Sequence, residues 1–112
     1  MQIEWTKELG IGITITDKNG TFIELNDKAG KIFEEQGGMN LIGSNIMDCH
    51  NSNSQQLIRD IIENKKVNVY FVEKKGGKKL IYQSPWTVNG ESGGLIEISI
   101  ELPENIETKN RD

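Results

Sequence analysis

The order of strands and helices constrains this chain more than any other feature of its sequence. Residues 10–16 alternate isoleucine with glycine and threonine, the period of a strand with one buried face. Turn residues at 17–20 lead at once into a second apolar run at 21–25. Helical segments follow, and three strand-like runs complete the chain. A sheet that is split by a helical insert forms a curved cradle, which favours a binding or sensing role.

The insert carries clear helix signals. Asn26 is a good N-cap for a predicted helix over residues 27–35, and the glycine pair at 37–38 would end it. A second, amphipathic helix is predicted over residues 54–64. Its apolar face consists of Leu57, Ile58, Ile61 and Ile62.

The later strands are predicted at residues 67–73, 80–88 and 95–102, with hairpin turns between them. Pro85 cannot donate to a strand ladder, so we expect a sheet edge or a bulge there. The last strand alternates isoleucine with polar residues, and we expect its isoleucines to face inward. The resulting prediction is a concave wall roofed by Leu57 and Ile61. The wall residues are Ile13, Ile15, Tyr82, Ile98 and Ile100.

Size and composition place the chain among ordinary globular domains. Its 112 residues fit one domain, and 35% are hydrophobic. A net charge of -4 argues against nucleic acid as the main partner. The apolar runs are too short for a membrane span, and the N-terminus does not resemble a signal peptide. With a single cysteine, Cys49, no internal disulfide can form, so we expect a cytoplasmic protein without a membrane partner.

The ends of the chain are expected to differ from its middle. Residues 1–9 are predicted to form a helical cap, residues 10–103 the main domain and residues 104–112 a polar tail. The apolar positions of the cap are Ile3, Trp5 and Leu9. Such a tryptophan either covers the back of its own sheet or makes a homodimer contact.

The element order resembles that of a PAS domain over residues 8–102. The shared marks are the turn at 17–20, Asn26, the run 41–43 before the middle helices and the acidic end of the last strand. Other short segments are similar to small bacterial PAS proteins, including stand-alone chains and the PAS segments of the hemerythrin-linked DUF438 family. These segments are residues 48–50, 80–86 and 98–103.

The resemblance implies an α+β fold and a sensory function. In a PAS fold, a five-stranded antiparallel sheet has the strand order 2-1-5-4-3, and short helices pack on one face. PAS domains sense small molecules, light or redox state, or mediate dimerisation. We therefore expect a signalling module that binds a small ligand or a partner protein and is not an enzyme. No output domain is evident, so a signalling partner protein is expected.

Cys49 and His50 are the only cysteine and histidine, and they lie just before the long helix. The resemblance implies that this region lines the ligand cavity, so an alternative function is a haem-binding sensor with His50 as axial ligand. In haem-binding PAS domains, however, the ligand histidine usually lies inside the long helix, at a position that matches Ser54. The structural alternative is a buried Cys49 and a capping or hydrogen-bonded His50.

Flavin and catalysis are less favoured than haem. In the flavin-binding relatives, the reactive cysteine would fall at Ile46, nearly one helical turn before Cys49. A cysteine enzyme needs a base beside its nucleophile, and the ring of His50 would seldom point at the preceding sulfur. The ligand therefore stays unidentified. The candidate ligand-binding residues are His50, Cys49, Leu57, Ile61, Tyr70, Tyr82 and Trp86, of which the aromatic ones would otherwise fill the core.

Overall fold

The computed structural model describes residues 2–112 and contains a five-stranded antiparallel sheet; Met1 lies outside the described residues. The strand order β2-β1-β5-β4-β3 confirms the predicted PAS topology. The strands are β1 (Gly12–Thr16), β2 (Phe22–Leu25), β3 (Asn68–Lys74), β4 (Gly77–Val88) and β5 (Glu91–Leu102).

Two α-helices and three short 3₁₀ turns connect β2 to β3. Helix α1 spans Asp27–Ile32, and helix α2 spans Ser52–Asn64. The 3₁₀ turns lie at Glu34–Gln36, Gly38–Leu41 and Ile46–Cys49. Within residues 2–112, no helix has the length and apolar character that crossing a membrane requires.

The buried side chain of Asn26 joins three parts of the chain. Its Oδ1 accepts hydrogen bonds from the backbone N of Ile13 at 2.9 Å and of Ala29 at 3.0 Å. Its Nδ2 donates to the carbonyl oxygens of Thr6 and Ile11, each at 2.9 Å. The predicted N-cap therefore also fastens the N-terminal segment and β1 to the start of α1.

The N-terminal segment is not the helical cap that the sequence predicts. The carbonyl of Thr6 accepts from Asn26, and the carbonyl of Lys7 accepts from the backbone N of Asp27 at 3.0 Å. The Thr6 carbonyl also accepts from the backbone N of Leu9 at 3.4 Å, and the Glu4 carbonyl accepts from the backbone N of Lys7 at 3.2 Å. Both of these local bonds span three residues, as in turns, and residues 5–8 form only turns.

The residues that face the helices are not the predicted isoleucines but the residues that alternate with them. A Cβ on Gly12 would lie 2.7 Å from Ile32 Cδ1 in α1, so Gly12 points toward the helices. Residues two apart in a strand share a face, so Thr14 and Thr16 point the same way. Glu97 pairs with Thr14 and lies on this side too.

The expected isoleucine wall therefore lies on the wrong side of the sheet. β1 and β5 do pair, as predicted, but Ile13 and its partner Ile98 face away from the helices. The strand alternation and the pairing register place Ile15, Ile100 and Tyr82 on this side as well. We call this side the outer face and the other the helix-facing side.

The core lies between the helices and the helix-facing side. Ile58, Ile61 and Ile62 of α2 pack with Leu95 of β5 in one cluster. Ile61 is completely buried, whereas Leu57 stays exposed and does not roof the sheet.

The irregularity that Pro85 predicts in β4 is confirmed. The pairing of β3 with β4 ends at Gln83, so Pro85 has no neighbour on the β3 side. A register shift follows directly, between Trp86 and Thr87. Because β3 does not extend to this position, the lack of an N–H in Pro85 removes no hydrogen bond on that side of β4.

Replacing Asn26 by Asp tests its role. The variant keeps both accepted hydrogen bonds but loses both donors and places a carboxylate against two carbonyl oxygens. We expect the free energy of unfolding in urea to fall by about 3 kcal/mol. The matched control is Asn51→Asp at the exposed N-cap of α2, where Asp caps equally well and the change stays within about 0.5 kcal/mol. Equal losses in the two variants would contradict this role.

Candidate functional site

Cys49 and His50 are exposed residues at the end of the last 3₁₀ turn. His50 Nδ1 lies 2.6 Å from the carbonyl oxygen of Ile46, and Cys49 Sγ lies 3.5 Å from the same oxygen. A carbonyl oxygen only accepts, so Nδ1 carries a proton and cannot take one from the thiol 3.6 Å away. The pair therefore lacks the base and nucleophile of a cysteine enzyme.

The residues around His50 do not fit a haem with His50 as its axial ligand. The side chain is exposed, and the space between α2 and the sheet is filled by Ile58, Ile61 and Leu95, which are all buried. Across residues 2–112, no three His, Cys, Asp or Glu side chains lie together as a metal site would require.

A row of polar residues crosses four strands on the helix-facing side. We call Thr14, Glu97, Gln83 and Asn68 the polar row, because each is the direct partner of the next. Asn68 Nδ2 donates to Gln83 Oε1 at 2.9 Å, and Gln83 Nε2 donates to Glu97 Oε1 at 2.7 Å. The amides thus form a directed chain that ends at a carboxylate.

Tyr70 lies beside the polar row on β3. Its partner is Ile81, whose other partner is Ser99, so these three residues form the adjacent row on the same side. Partial burial raises the pKa of the Tyr70 phenol, and the nearby Glu97 carboxylate raises this pKa further. The negative charge of Glu97 therefore acts on the helix-facing side.

The predicted ligand-binding residues do not come together. Ile61 and Tyr70 lie on the helix-facing side, whereas Tyr82 and Trp86 follow the strand alternation to the outer face. Trp86 Nε1 donates to the carbonyl of Thr16 at 2.8 Å, which ties the end of β4 to the end of β1.

Sequence reasoning did not identify the polar row as a site. The signal was present in the alternation of β5, where Glu97 and Ser99 share one face. Polar residues in a strand are usually assigned to solvent, so this pair was expected to face outward.

The outer face is apolar across its middle. Val69 and Phe71 of β3 are at least half exposed, and Tyr82 is also exposed. The charged residues of this face lie at its margins, with Glu24 on β2 and the Glu73–Lys78 ion pair at a hairpin tip. The apolar residues are Ile13, which is buried, and Ile15, Val69, Phe71, Leu80, Tyr82, Trp86, Ile96, Ile98, Ile100 and Leu102.

The N-terminal segment leaves its large apolar side chains in solvent. Trp5 is 69% exposed, and Ile3 is exposed to a similar degree. Leu9 is exposed as well. Trp5 therefore does not cover the back of its own sheet, which was one of its two predicted roles.

Several solved structures share this architecture. The Aer2 receptor from Vibrio cholerae, described as a dual PAS-haem oxygen sensor, is 17% identical with a TM-score of 0.64, over 83% of this chain and 95% of that one. The PAS domain of histidine kinase ThkA is 20% identical with a TM-score of 0.64, over 80% and 97%. The Vibrio cholerae VqmA dimer, a LuxR-type receptor, is 19% identical with a TM-score of 0.66, over 88% and 48%.

No protein-family model matches the chain, and no curated protein is significantly similar to it. The structural matches, together with the strand order, show that this chain has the PAS fold.

The electrostatic link between Glu97 and Tyr70 is testable by titration. In a Tyr82→Phe background, which leaves one tyrosine, we expect Glu97→Gln to lower the Tyr70 pKa toward its ordinary value near 10. The ultraviolet absorbance of tyrosinate measures this shift, and Glu24→Gln on the outer face is the control.

The same pKa shift predicts how stability depends on pH. A pKa that is higher in the folded protein than in the unfolded chain means that folding favours the neutral phenol. The stability that Tyr70 gains in this way is complete below the pKa of the unfolded state, and it is lost as the pH rises through the pKa of the folded state. Urea unfolding of both proteins over the same pH range should therefore show that the free energy of unfolding falls less at alkaline pH in Glu97→Gln than in the parent. An unchanged Tyr70 pKa in that variant would contradict the assignment.

Proposed function

We propose that this chain is a sensory or signalling module that binds a small ligand or a partner protein and signals through dimerisation or protein contact. Proteins of the same fold support this proposal, since they include an oxygen-sensing receptor, a histidine kinase and a LuxR-type receptor. The proposal includes no catalytic step. The observation that carries it is the uncharged middle of the outer face.

An apolar sheet face of this size favours a protein contact. β4 and β5 are 12 residues long, which is about 40 Å in extended strands. Five strands at about 4.8 Å spacing add roughly 20 Å of width. Because three strands are shorter, the outline of the whole face, charged margins included, covers on the order of 700 Å². One partner in a standard interface contributes about 800 Å².

We propose a second copy of this chain as the partner on the outer face. A two-fold dimer needs a patch that is complementary to itself, and a neutral apolar face meets that need without opposing charges. The exposed Ile3 and Trp5, with Leu9, would extend the contact from the edge of the sheet. A downstream signalling protein would then respond to the geometry of this dimer.

The helix-facing side would supply the sensory input. Ile61 and Tyr70 lie on this side and remain our candidate ligand contacts, whereas the predicted contact Leu57 is exposed and does not roof the sheet. Helix α2 packs on β4 and β5, whose opposite side forms the middle of the outer face. A ligand that binds better to one position of α2 would therefore favour one geometry of the dimer.

Single substitutions on the two sides test the proposed dimer. Val69→Lys places a charge on the outer face at an exposed position, so folding is retained while association weakens. We expect its dimer dissociation constant to rise at least about tenfold in sedimentation velocity, a change of roughly 1.4 kcal/mol. Trp5→Ser should also weaken the dimer.

The matched control is Leu57→Lys, a similarly exposed apolar position on α2. It should leave the dissociation constant unchanged. A parent protein that stays monomeric at high concentration would contradict the dimer, and equal effects of Val69→Lys and Leu57→Lys would contradict the outer face as its interface.

A further inference from the structure

We propose that Glu97 of the polar row, with the hydroxyls of Thr14 in that row and of Ser99 in the adjacent row, binds the ammonium group of a small primary amine and acts as its counter-ion. This inference rests on the proposed sensory role and names the chemistry of its ligand.

Glu97 is held in place by the row but is not neutralised. Its Oε1 accepts from Gln83, and Gln83 is in turn oriented by Asn68. Among the ion pairs within residues 2–112, none includes Glu97, and no hydrogen bond to its Oε2 is found in that range. Glu101, on the same strand and side, already pairs with Lys28 Nζ at 2.7 Å.

Two hydroxyl groups next to Glu97 are also without a protein partner. Thr14, directly opposite Glu97, is 4% exposed, and Ser99, two residues along β5, is 7% exposed. In the described chain, Ser92 Oγ is the one side-chain atom that is both sealed from solvent and unpartnered. The oxygens of Thr14 and Ser99 therefore keep some contact with solvent.

These three groups match the needs of an ammonium ion. An ammonium carries three N–H donors, and the site offers a carboxylate oxygen and two hydroxyl oxygens as acceptors. Thr14 and Glu97 are direct cross-strand partners, so their Cβ atoms lie about 5 Å apart and can share one ligand atom. Anionic ligands would be repelled by Glu97, and one carboxylate is too few for a calcium site.

The neighbouring residues limit the size of the amine. Buried Ile58, Ile61 and Leu95 leave little room beneath α2, so a bulky ligand is excluded. Tyr70 is partly exposed beside the row on the edge strand and offers a ring face to a short apolar chain or to the cation itself. A short alkylammonium is therefore the simplest probe.

The test is a titration of the isotope-labelled full chain with propylammonium chloride, followed by amide NMR shifts. We expect saturable shifts at residues 14, 97 and 99. Propanol and propionate at equal concentration and ionic strength should produce none there, because they lack the cation. Glu97→Gln, which retains the bond from Gln83, should weaken binding at least tenfold.

Two further variants separate binding from folding. Thr14→Val keeps the shape of the side chain and removes one acceptor, so a weaker effect in the same direction is expected. The matched control Glu101→Gln removes a carboxylate of the same strand that Lys28 already neutralises, and it should bind propylammonium as the parent does. The amide spectrum of each variant reports whether its fold is intact.

Three results would overturn the inference: no saturable shifts at these residues, equal binding by Glu97→Gln, or equal shifts with propanol. The dimer measurement is independent of this titration. Loss of amine binding with an intact dimer would overturn this inference alone, whereas amine binding by a monomer would overturn the proposed signalling contact alone.

Discussion

The side-chain amide of Asn26 is the contact on which the arrangement of this domain depends. It uses both donors and both acceptor positions, and its four partners lie in the N-terminal segment, before and within β1, and in α1. A buried amide with all its hydrogen bonds made fixes geometry as well as adding stability. Asn26 thereby fixes where α1 starts over the sheet. It also fixes the position of the N-terminal segment relative to β1 and α1.

The close approach of α1 then decides how the two sides of the sheet differ. Gly12 lies under Ile32, where a larger side chain would collide. The residues that follow on this side, Thr14 and Thr16, are small, and the large isoleucines occupy the other side. One strand therefore contributes both to the polar row and to the apolar outer face. This shared strand would couple the proposed ligand on one side to the proposed protein contact on the other.

Much of the fold could be predicted from the sequence. The strand order, Asn26 as an N-cap and the disturbance at Pro85 all follow from local rules and the PAS resemblance. The candidate site was predicted less well. Ile61 and Tyr70 fall on the helix-facing side, but Tyr82 and Trp86 do not, and the polar row was missed. The predicted N-terminal helix is replaced by turns, whose local bonds span three residues, and the carbonyls of Thr6 and Lys7 also bond to distant groups.

The sequence by itself determined that isoleucines and polar residues alternate in β1 and β5, because side chains in a strand alternate with a period of two. Only the tertiary structure decided which set meets the helices. An alternation of two does not tell which set of residues faces the helices, and apolar side chains occur on both sides of this sheet. The choice came from a contact between residues far apart in the chain, α1 over Gly12, and it placed Glu97 inside and Ile98 outside.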